Sequence, residues 1–267
     1  MDDALSGISS EVRLMERVKT GIPGLDEMLW GGLLPQTANL VEGAPGTGKT
    51  TLGMQFIYHG IVACDEPGLV LTFEEFPHQY YSDANSFGWD FRQMEREDKL
   101  RVVMTSPEVS MADLEQVGGR IESMVQEIGA KRILVDSLSH FERLSKDPAH
   151  LRSIVYGFVN ALKREGLTAI LTRESVALLG EAGGTDDTLA FLVDSYVLLR
   201  YVEIESTIHK ALLVLKMRGS NHDKGIREYE ITSRGIEVRA PFEGREGIMS
   251  GSPRQMVDSF VQAFVHR

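Results

Sequence analysis

Nothing in this sequence restricts the fold more than the stretch GAPGTGKTT, Gly43 to Thr51. It fits the pattern G-x-x-x-x-G-K-[ST], a loop that binds nucleotide phosphates. Gly43, Gly46 and Gly48 permit backbone angles and close approaches that a Cβ would block. The N–H groups they leave open form a concave nest for phosphate oxygens. Lys49 brings a compact positive charge to the β- and γ-phosphates, and Thr50 offers its hydroxyl to Mg²⁺. Thr47 and Thr51 belong to the same nucleotide-binding stretch. The flanks agree: Ala38 to Val41 reads as a short buried strand, and Thr50 to Ile61 as a helix with Leu52, Phe56 and Ile57 at helical spacing. A merely flexible glycine-rich turn is the alternative. The strand–loop–helix order argues against it, and a helix N-terminus favours an anion.

The chain has 267 residues, enough for one large α/β domain with an extension. Apolar residues make up 42% and charged residues 25%, as in a soluble globular protein. The net charge of −11 opposes non-specific attraction to nucleic-acid backbones, although a local basic patch could still form. A lone cysteine, Cys64, excludes an internal disulfide and fits a reducing compartment. No apolar run has the length of a membrane span, and the start MDDALSG does not read as a signal peptide. The expectation is a cytoplasmic protein.

In chain order, residues 1 to about 16 read as a polar tail or short helix. Gly24-Leu25-Asp26 opens a short helix that Gly31-Gly32 ends, with Leu25, Met28 and Leu29 on its apolar side. After the P-loop helix, Gly68 to Phe73 is the next buried strand, with Glu74-Glu75 at its C-terminal end. Residues 77 to 98 read as helical pieces and Leu100 to Met104 as a strand. Ser110 to Ile128 reads as one amphipathic helix, with Ser110 and Asp113 as a capping start and Leu114, Val117, Ile121, Met124, Val125 and Ile128 on one face. Arg132 to Asp136 is an apolar strand ending in an acid. Asp147-Pro148 opens a helix that ends before Gly166, and Thr168 to Thr172 is a further strand. This alternation implies a largely parallel sheet with helices on both faces.

Beyond Asp194 the pattern changes. Ser195–Tyr201, Ala211–Met217, Glu228–Ile231 and Ile236–Val238 read as consecutive strands, an antiparallel meander added to the sheet. Near the end, Ser252-Pro253 is a fitting N-cap and N1 pair for a helix with Met256, Val257, Phe260, Val261, Phe264 and Val265 on one face. Docking on the chain's own core and burial against a neighbouring subunit suit that face equally.

Phosphate chemistry with a metal needs an acid near the ion and a group that orients water. Asp136, ending the strand ILVD, is the natural carboxylate for Mg²⁺ or its water shell. Glu74 and Glu75 end the strand after the P-loop helix, and ligands of such sheets sit at the carboxyl ends of strands. One of the pair is expected to polarise the attacking water; two solvated acids in a turn are the alternative. The most basic stretch is KMRGSNHDKGIR, Lys216 to Arg227. Lys216 and Arg218, two apart on an expected strand, project to one side. They could clamp a phosphate, bind nucleic acid or end a solvated hairpin, in that order of preference. The seven histidines lack zinc-ligand spacing, and no G-x-S-x-G elbow is present.

Together TGIPGLDEML, GAPGTGKTT, LTFEE, ILVDS and KMRGSNHDKG resemble the KaiC-like branch of the RecA-type ATPases, over roughly Val18 to Pro253. LLRYVEI, KMRGSNHDKGIRE and GIMSGSP follow the order found in the second of KaiC's two ATPase halves. The resemblance implies an α/β RecA-like core, ATP and Mg²⁺ as ligands, and a homo-oligomeric ring, usually a hexamer, with nucleotide at subunit interfaces. It also implies that Lys49 and Thr50 bind nucleotide and metal, that Glu74 and Glu75 are the catalytic pair, and that Lys216 and Arg218 reach a neighbour's γ-phosphate. Two departures stand out: one ATPase half where KaiC has two, and Ala190-Phe191 where KaiC carries its phosphorylated Ser-Thr pair.

The expected organisation is a tail over 1–17, an ATPase domain over 18–240 and an extension over 241–267. The expected function is Mg²⁺-dependent ATP hydrolysis in a ring with a regulatory or signalling role, a possible regulatory protein partner and no autokinase activity. A RecA- or RadA-like recombination or repair ATPase is the competing class. Its DNA-binding loop would fall on Gly180 to Asp187, which is acidic and argues against it. A nucleotide-gated scaffold with negligible turnover is the third.

Overall fold

Strand after strand in this chain is apolar at consecutive positions, and a sheet built from such strands must be covered on both faces. The computed structural model describes residues 16–175, 188–242, 245–246, 248 and 254–255. Through the P-loop region the order is α1 (Leu25–Met28), β1 (Ala38–Gly43), α2 (Lys49–Cys64), β2 (Gly68–Thr72), α3 (Pro77–Ser86) and α4 (Phe91–Arg96). Then come β3 (Leu100–Met104), α5 (Pro107–Glu115), α6 (Arg120–Ile128), β4 (Arg132–Asp136), a 3₁₀ segment (Leu138–Arg143), α7 (Pro148–Arg164) and β5 (Thr168–Glu174). A second 3₁₀ segment (Thr188–Phe191) precedes β6 (Ser195–Ile204), β7 (Thr207–Met217), β8 (Arg227–Thr232) and β9 (Gly235–Pro241). The two-residue strands β10 (Arg245–Glu246) and β11 (Arg254–Gln255) pair antiparallel with each other.

β1 to β9 form one sheet in the order β3-β2-β4-β5-β1-β6-β7-β8-β9. From β3 to β6 the neighbours are parallel, and from β6 to β9 antiparallel. The mostly parallel sheet with a C-terminal antiparallel extension is borne out. Alternate residues of each central strand feed two cores. Val41, Val70 and Leu134 pack on one face with α1 to α4, while Leu40, Leu69, Leu71, Ile133 and Val135 pack on the other with α6 and α7. α2 lies in the first core with Leu52, Met54, Phe56 and Ile57 all buried, which is why its sequence is apolar nearly all round.

Two buried polar side chains tie this framework. Gln55 of α2 donates to the carbonyls of Gly21 (3.1 Å) and Ile236 (3.2 Å) and accepts from Ile236 N–H at 2.7 Å. Arg132, which opens β4, is 1% exposed. Its Nε donates to Glu66 Oε2 at 2.6 Å, with Nη2 at 2.5 Å from the same oxygen as an ion pair. Its Nη1 donates to the carbonyls of Lys19 (2.7 Å) and Phe56 (2.9 Å). Gly60 leaves room for that guanidinium.

Four readings need correction. The single helix expected over Ser110–Ile128 is two helices, because Gly118 takes a φ of 74° and breaks the run. Ser106, followed by Pro107, caps the first, while the Asp113 carboxylate caps the second by accepting from Arg120 N–H (2.8 Å) and Ile121 N–H (2.6 Å). Val117, placed on the apolar face by periodicity, sits in the break 95% exposed. The P-loop helix runs on to Cys64 rather than stopping at Ile61. β6 and β7 run beyond the expected limits Tyr201 and Ala211 and meet at a Glu205-Ser206 turn, both residues at positive φ. Finally, Arg254–Gln255, expected in the first turn of a C-terminal helix, is a strand; residues 249–253 and 256–267, residues 1–15 of the N-terminal tail and the acidic stretch over 180–187 lie outside the described residues.

Candidate active site

β1 ends at Gly43 and α2 begins at Lys49, so the P-loop spans the gap between a central strand and the first turn of a buried helix. Gly46 and Gly48 hold φ values of 77° and 95°. A Cβ on Gly46 would lie 2.7 Å from the Tyr201 hydroxyl, and one on Gly48 would lie 2.8 Å from Ile231 Cδ1. The antiparallel extension therefore closes over the loop and leaves only glycine room there. It also braces the loop, since Tyr229 donates to the Thr47 carbonyl at 2.6 Å and Tyr201 to the Pro45 carbonyl at 3.3 Å. Thr47 is fully buried, its hydroxyl bonded to the Ala44 carbonyl at 2.7 Å.

A cleft of about 200 Å³ opens beside the loop. Gly46, Lys49, Thr50, Glu74, Glu75 and Asp136 all line it, so three separate sequence motifs converge. Lys49 Nζ donates to the Ala44 carbonyl at 3.1 Å. Burial lowers the proton affinity of its amine, against the pull of Glu174, Asp136 and Glu42. Thr50 Oγ1 donates to Asp136 Oδ2 at 2.7 Å. Thr72, the last residue of β2, holds the following turn: its hydroxyl accepts from Glu75 N–H and donates to the Glu75 carbonyl, both at 3.1 Å. Burial, then Asp136, Asp83 and Glu74, pushes the Glu75 carboxyl above its ordinary range. Glu74 stands further out and meets His140 Nε2 at 3.2 Å.

Lys216 and Arg218 are not brought to this cleft. Met217 pairs with Ser195, and Ser195 with Asn39, whereas Leu199 pairs with Gly43. At ~3.3 Å per residue, the end of β7 lies about 13 Å back along the strands from the P-loop end of the sheet. Arg218 is the first turn residue beyond β7 rather than a strand residue, and its Nη2 donates to the Phe191 carbonyl at 2.5 Å. The exposed Phe191 ring and the backbone of Ala190 belong to the 3₁₀ segment before β6.

This P-loop, its acid-ended β4 and its glutamate turn have close relatives among known proteins. The sequence profile of the KaiC ATPase matches residues 18–243. The chain belongs to the KaiC ATPase family. It is 38% identical over 259 residues to "Circadian clock protein KaiC3" of Synechocystis sp., covering 97% of this chain and 50% of that protein. It is 38% identical over 240 residues to "Circadian clock oscillator protein KaiC" of Thermostichus vulcanus, covering 90% of this chain and 46% of that protein. The protein of the same name from Synechococcus elongatus is 37% identical over 240 residues, again 90% of this chain and 46% of the relative. The chain thus spans about half the length of the curated relatives it matches.

Several residues around this cleft escaped the sequence reading. Tyr80 of α3, fully buried, donates to Asp136 Oδ2 at 2.6 Å, and Thr172 of β5 donates to Asp136 Oδ1. Burial and the Asp136 charge push the Tyr80 phenol well up, so it stays a donor. Glu174, two residues past Thr172, also lines the cleft. Glu42, next to Gly43, is buried against Arg173 Nη2 at 2.6 Å and accepts from the Tyr196 hydroxyl at 2.8 Å. Polar residues at the carboxyl ends of strands were the available signal for Thr172 and Glu174; Tyr80 offered none, because its helix crosses over from a different motif. Among the described residues no helix is long and apolar enough to cross a membrane.

Proposed function

We propose that the chain is a Mg²⁺-dependent ATPase that assembles as a ring, six-membered in the family's usual manner, and serves a regulatory or signalling role with a protein partner. The observation that carries this is the meeting of Lys49, Thr50, Asp136 and the Glu74-Glu75 turn in one cleft beside a glycine cradle. Thr50 and Asp136 are hard oxygen donors, the kind Mg²⁺ takes alongside phosphate and water. Held by Thr50 and Asp136, the ion would supply positive charge against the negative charge that develops in transfer.

The protein groups divide the remaining work. The P-loop N–H groups and Lys49 hold the phosphates, and Gly43, Gly46, Thr47, Gly48 and Thr51 keep that cradle open and attached to α2. Tyr80 and Thr172 keep the Asp136 carboxylate facing Thr50. Glu74 or Glu75 orients water and takes its proton. Lys216 and Arg218, at the far end of the sheet from their own P-loop, serve the γ-phosphate of the neighbouring subunit. Water is the acceptor, since Ala190 and Phe191 offer no hydroxyl. The domain boundaries at 17/18 and 240/241 go with this reading: Val18 bridges Leu33, and β9, the last strand of the sheet, runs to Pro241, one residue past the second boundary.

Sizing the protein with and without Mg-ATP while following phosphate release tests the proposal. A ring together with steady release is expected. Assembly without release would make it a nucleotide-gated scaffold, and salt-sensitive stimulation by single-stranded DNA would make it a recombination ATPase.

A further inference from the structure

The Glu74 side chain is 73% exposed, and a glutamate so placed has several rotamers to choose among. Its Oε2 nevertheless meets one partner that is itself mostly out of solvent. His140, in the 3₁₀ segment Leu138–Arg143 after β4, places Nε2 at 3.2 Å from that oxygen. The His140 side chain is only 18% exposed and stands edge-on to the ring of Phe73, with centroids 6.3 Å apart. Phe73 directly precedes Glu74, so the ring that backs the imidazole also roots the glutamate turn.

The other imidazole nitrogen decides the proton's position. Arg143 Nη2 lies 2.6 Å from His140 Nδ1. A guanidinium donates hydrogen bonds and cannot accept them. Nδ1 is therefore the acceptor, and the single proton of the neutral ring sits on Nε2, facing Glu74 Oε2. The order Arg143, His140, Glu74 runs donor to acceptor at each step.

We propose that His140 is a positioning residue for ATP hydrolysis, holding Glu74 through an Nε2–H bond in the tautomer that Arg143 imposes. The inference rests on the proposed role of Glu74 as a group that activates water. His140 itself touches neither nucleotide nor water in this scheme. It turns a mobile carboxylate into one with a set direction, which is where orientation contributes most to rate.

Steady-state ATPase kinetics of the full chain, joined to ¹⁵N-histidine spectra, test it. His140→Ala is expected to lower kcat about tenfold while KM for ATP stays within about twofold, the pattern of lost orientation without lost binding. In His140→Gln the amide nitrogen occupies the Nε2 position, so kcat returns to within about threefold of wild type. His140→Asn places its amide at the Nδ1 position and does not recover. The His140 signals, identified by their loss in His140→Gln, should show the Nε2–H tautomer in the wild type and both tautomers in Arg143→Met. An Nδ1–H tautomer in the wild type, or unchanged kcat in His140→Ala, overturns the inference. Should His140→Ala fail to fold, equal turnover in the Gln and Asn variants overturns it instead. If wild-type protein releases no phosphate, or Glu74→Gln turns over at the wild-type rate, the role given to Glu74 falls and takes this inference with it. Loss of turnover in Glu74→Gln beside unchanged His140→Ala defeats the inference alone.

Discussion

The Thr50 hydroxyl donates a 2.7 Å hydrogen bond to Asp136 Oδ2 and so joins the first turn of α2 to the end of β4. The two residues come from motifs far apart in the chain. β5 lies between β1 and β4, and only parallel pairing through it sets the carboxyl ends of all three strands level. Asp136 accepts from three hydroxyls, those of Thr50, Tyr80 and Thr172. Three donors from three different elements fix the direction in which this carboxylate faces.

The far placement of Arg218 leads to a mixing experiment. Arg218→Ala should hydrolyse poorly although its own P-loop is intact, and Lys49→Ala should fail because no other loop residue brings charge to the phosphates. In the proposed ring, mixing the two variants would pair an intact P-loop with an intact cation at some interfaces and should restore part of the activity. Rings shown to mix, yet wholly inactive, would count against action across the interface.

Acceptor chemistry gives the second prediction. On the proposed reading Ala190 and Phe191 stand where an autokinase would present its acceptor oxygen, and neither side chain has one. After hours with Mg-ATP, intact-mass spectrometry should find the chain unmodified. A stoichiometric phosphate between Glu181 and Asp194 would mean that Thr185 or Thr188 accepts it instead.

Much of this was legible in the sequence. The P-loop, the acid ending β4 and the glutamates after β2 each carried their chemistry in adjacent residues. Tyr80 could not be read that way: its contact with Asp136 depends on the angle at which α3 leaves the Glu74-Glu75 turn. The relay through His140 was hidden for a similar reason, because a 3₁₀ segment brings His140 and Arg143 to one side and periodicity does not reveal it. Gly118-Gly119 was the visible warning against one long helix, and the regular apolar spacing to either side outweighed it.

Glu75 supplies a pH test. Burial first, then Asp136, Asp83 and Glu74, hold its carboxyl above the ordinary value of 4.5 in the folded chain. As pH falls, the folded state therefore takes up this proton before the unfolded state does. The cost of ionised Glu75 is absent below pH 4.5, grows as pH rises toward the folded value, and is complete above it. Glu75→Gln should raise Tm at pH 7, with the gain vanishing at pH 4. An equal gain at both would contradict the assignment.

Arg132 is the place where the scaffold is most exposed to a single change. Arg132→Met keeps bulk and apolar contact with Phe56 but strands Glu66 and the carbonyls of Lys19 and Phe56. Removing one partner of such a buried network costs on the order of 3 kcal/mol. Urea unfolding should show the midpoint fall accordingly; a loss below about 1 kcal/mol would mean that the network adds little beyond packing.

The most direct test compares phosphate release by the wild type and by Glu74→Gln/Glu75→Gln in Mg-ATP, with nucleotide binding measured on the same samples. The double variant keeps the size of both side chains and removes their charge. Binding should persist while release falls by ~10²-fold or more, the scale of a lost general base. Release at the wild-type rate would contradict the assignment of this cleft as an ATPase site built on the Glu74-Glu75 turn.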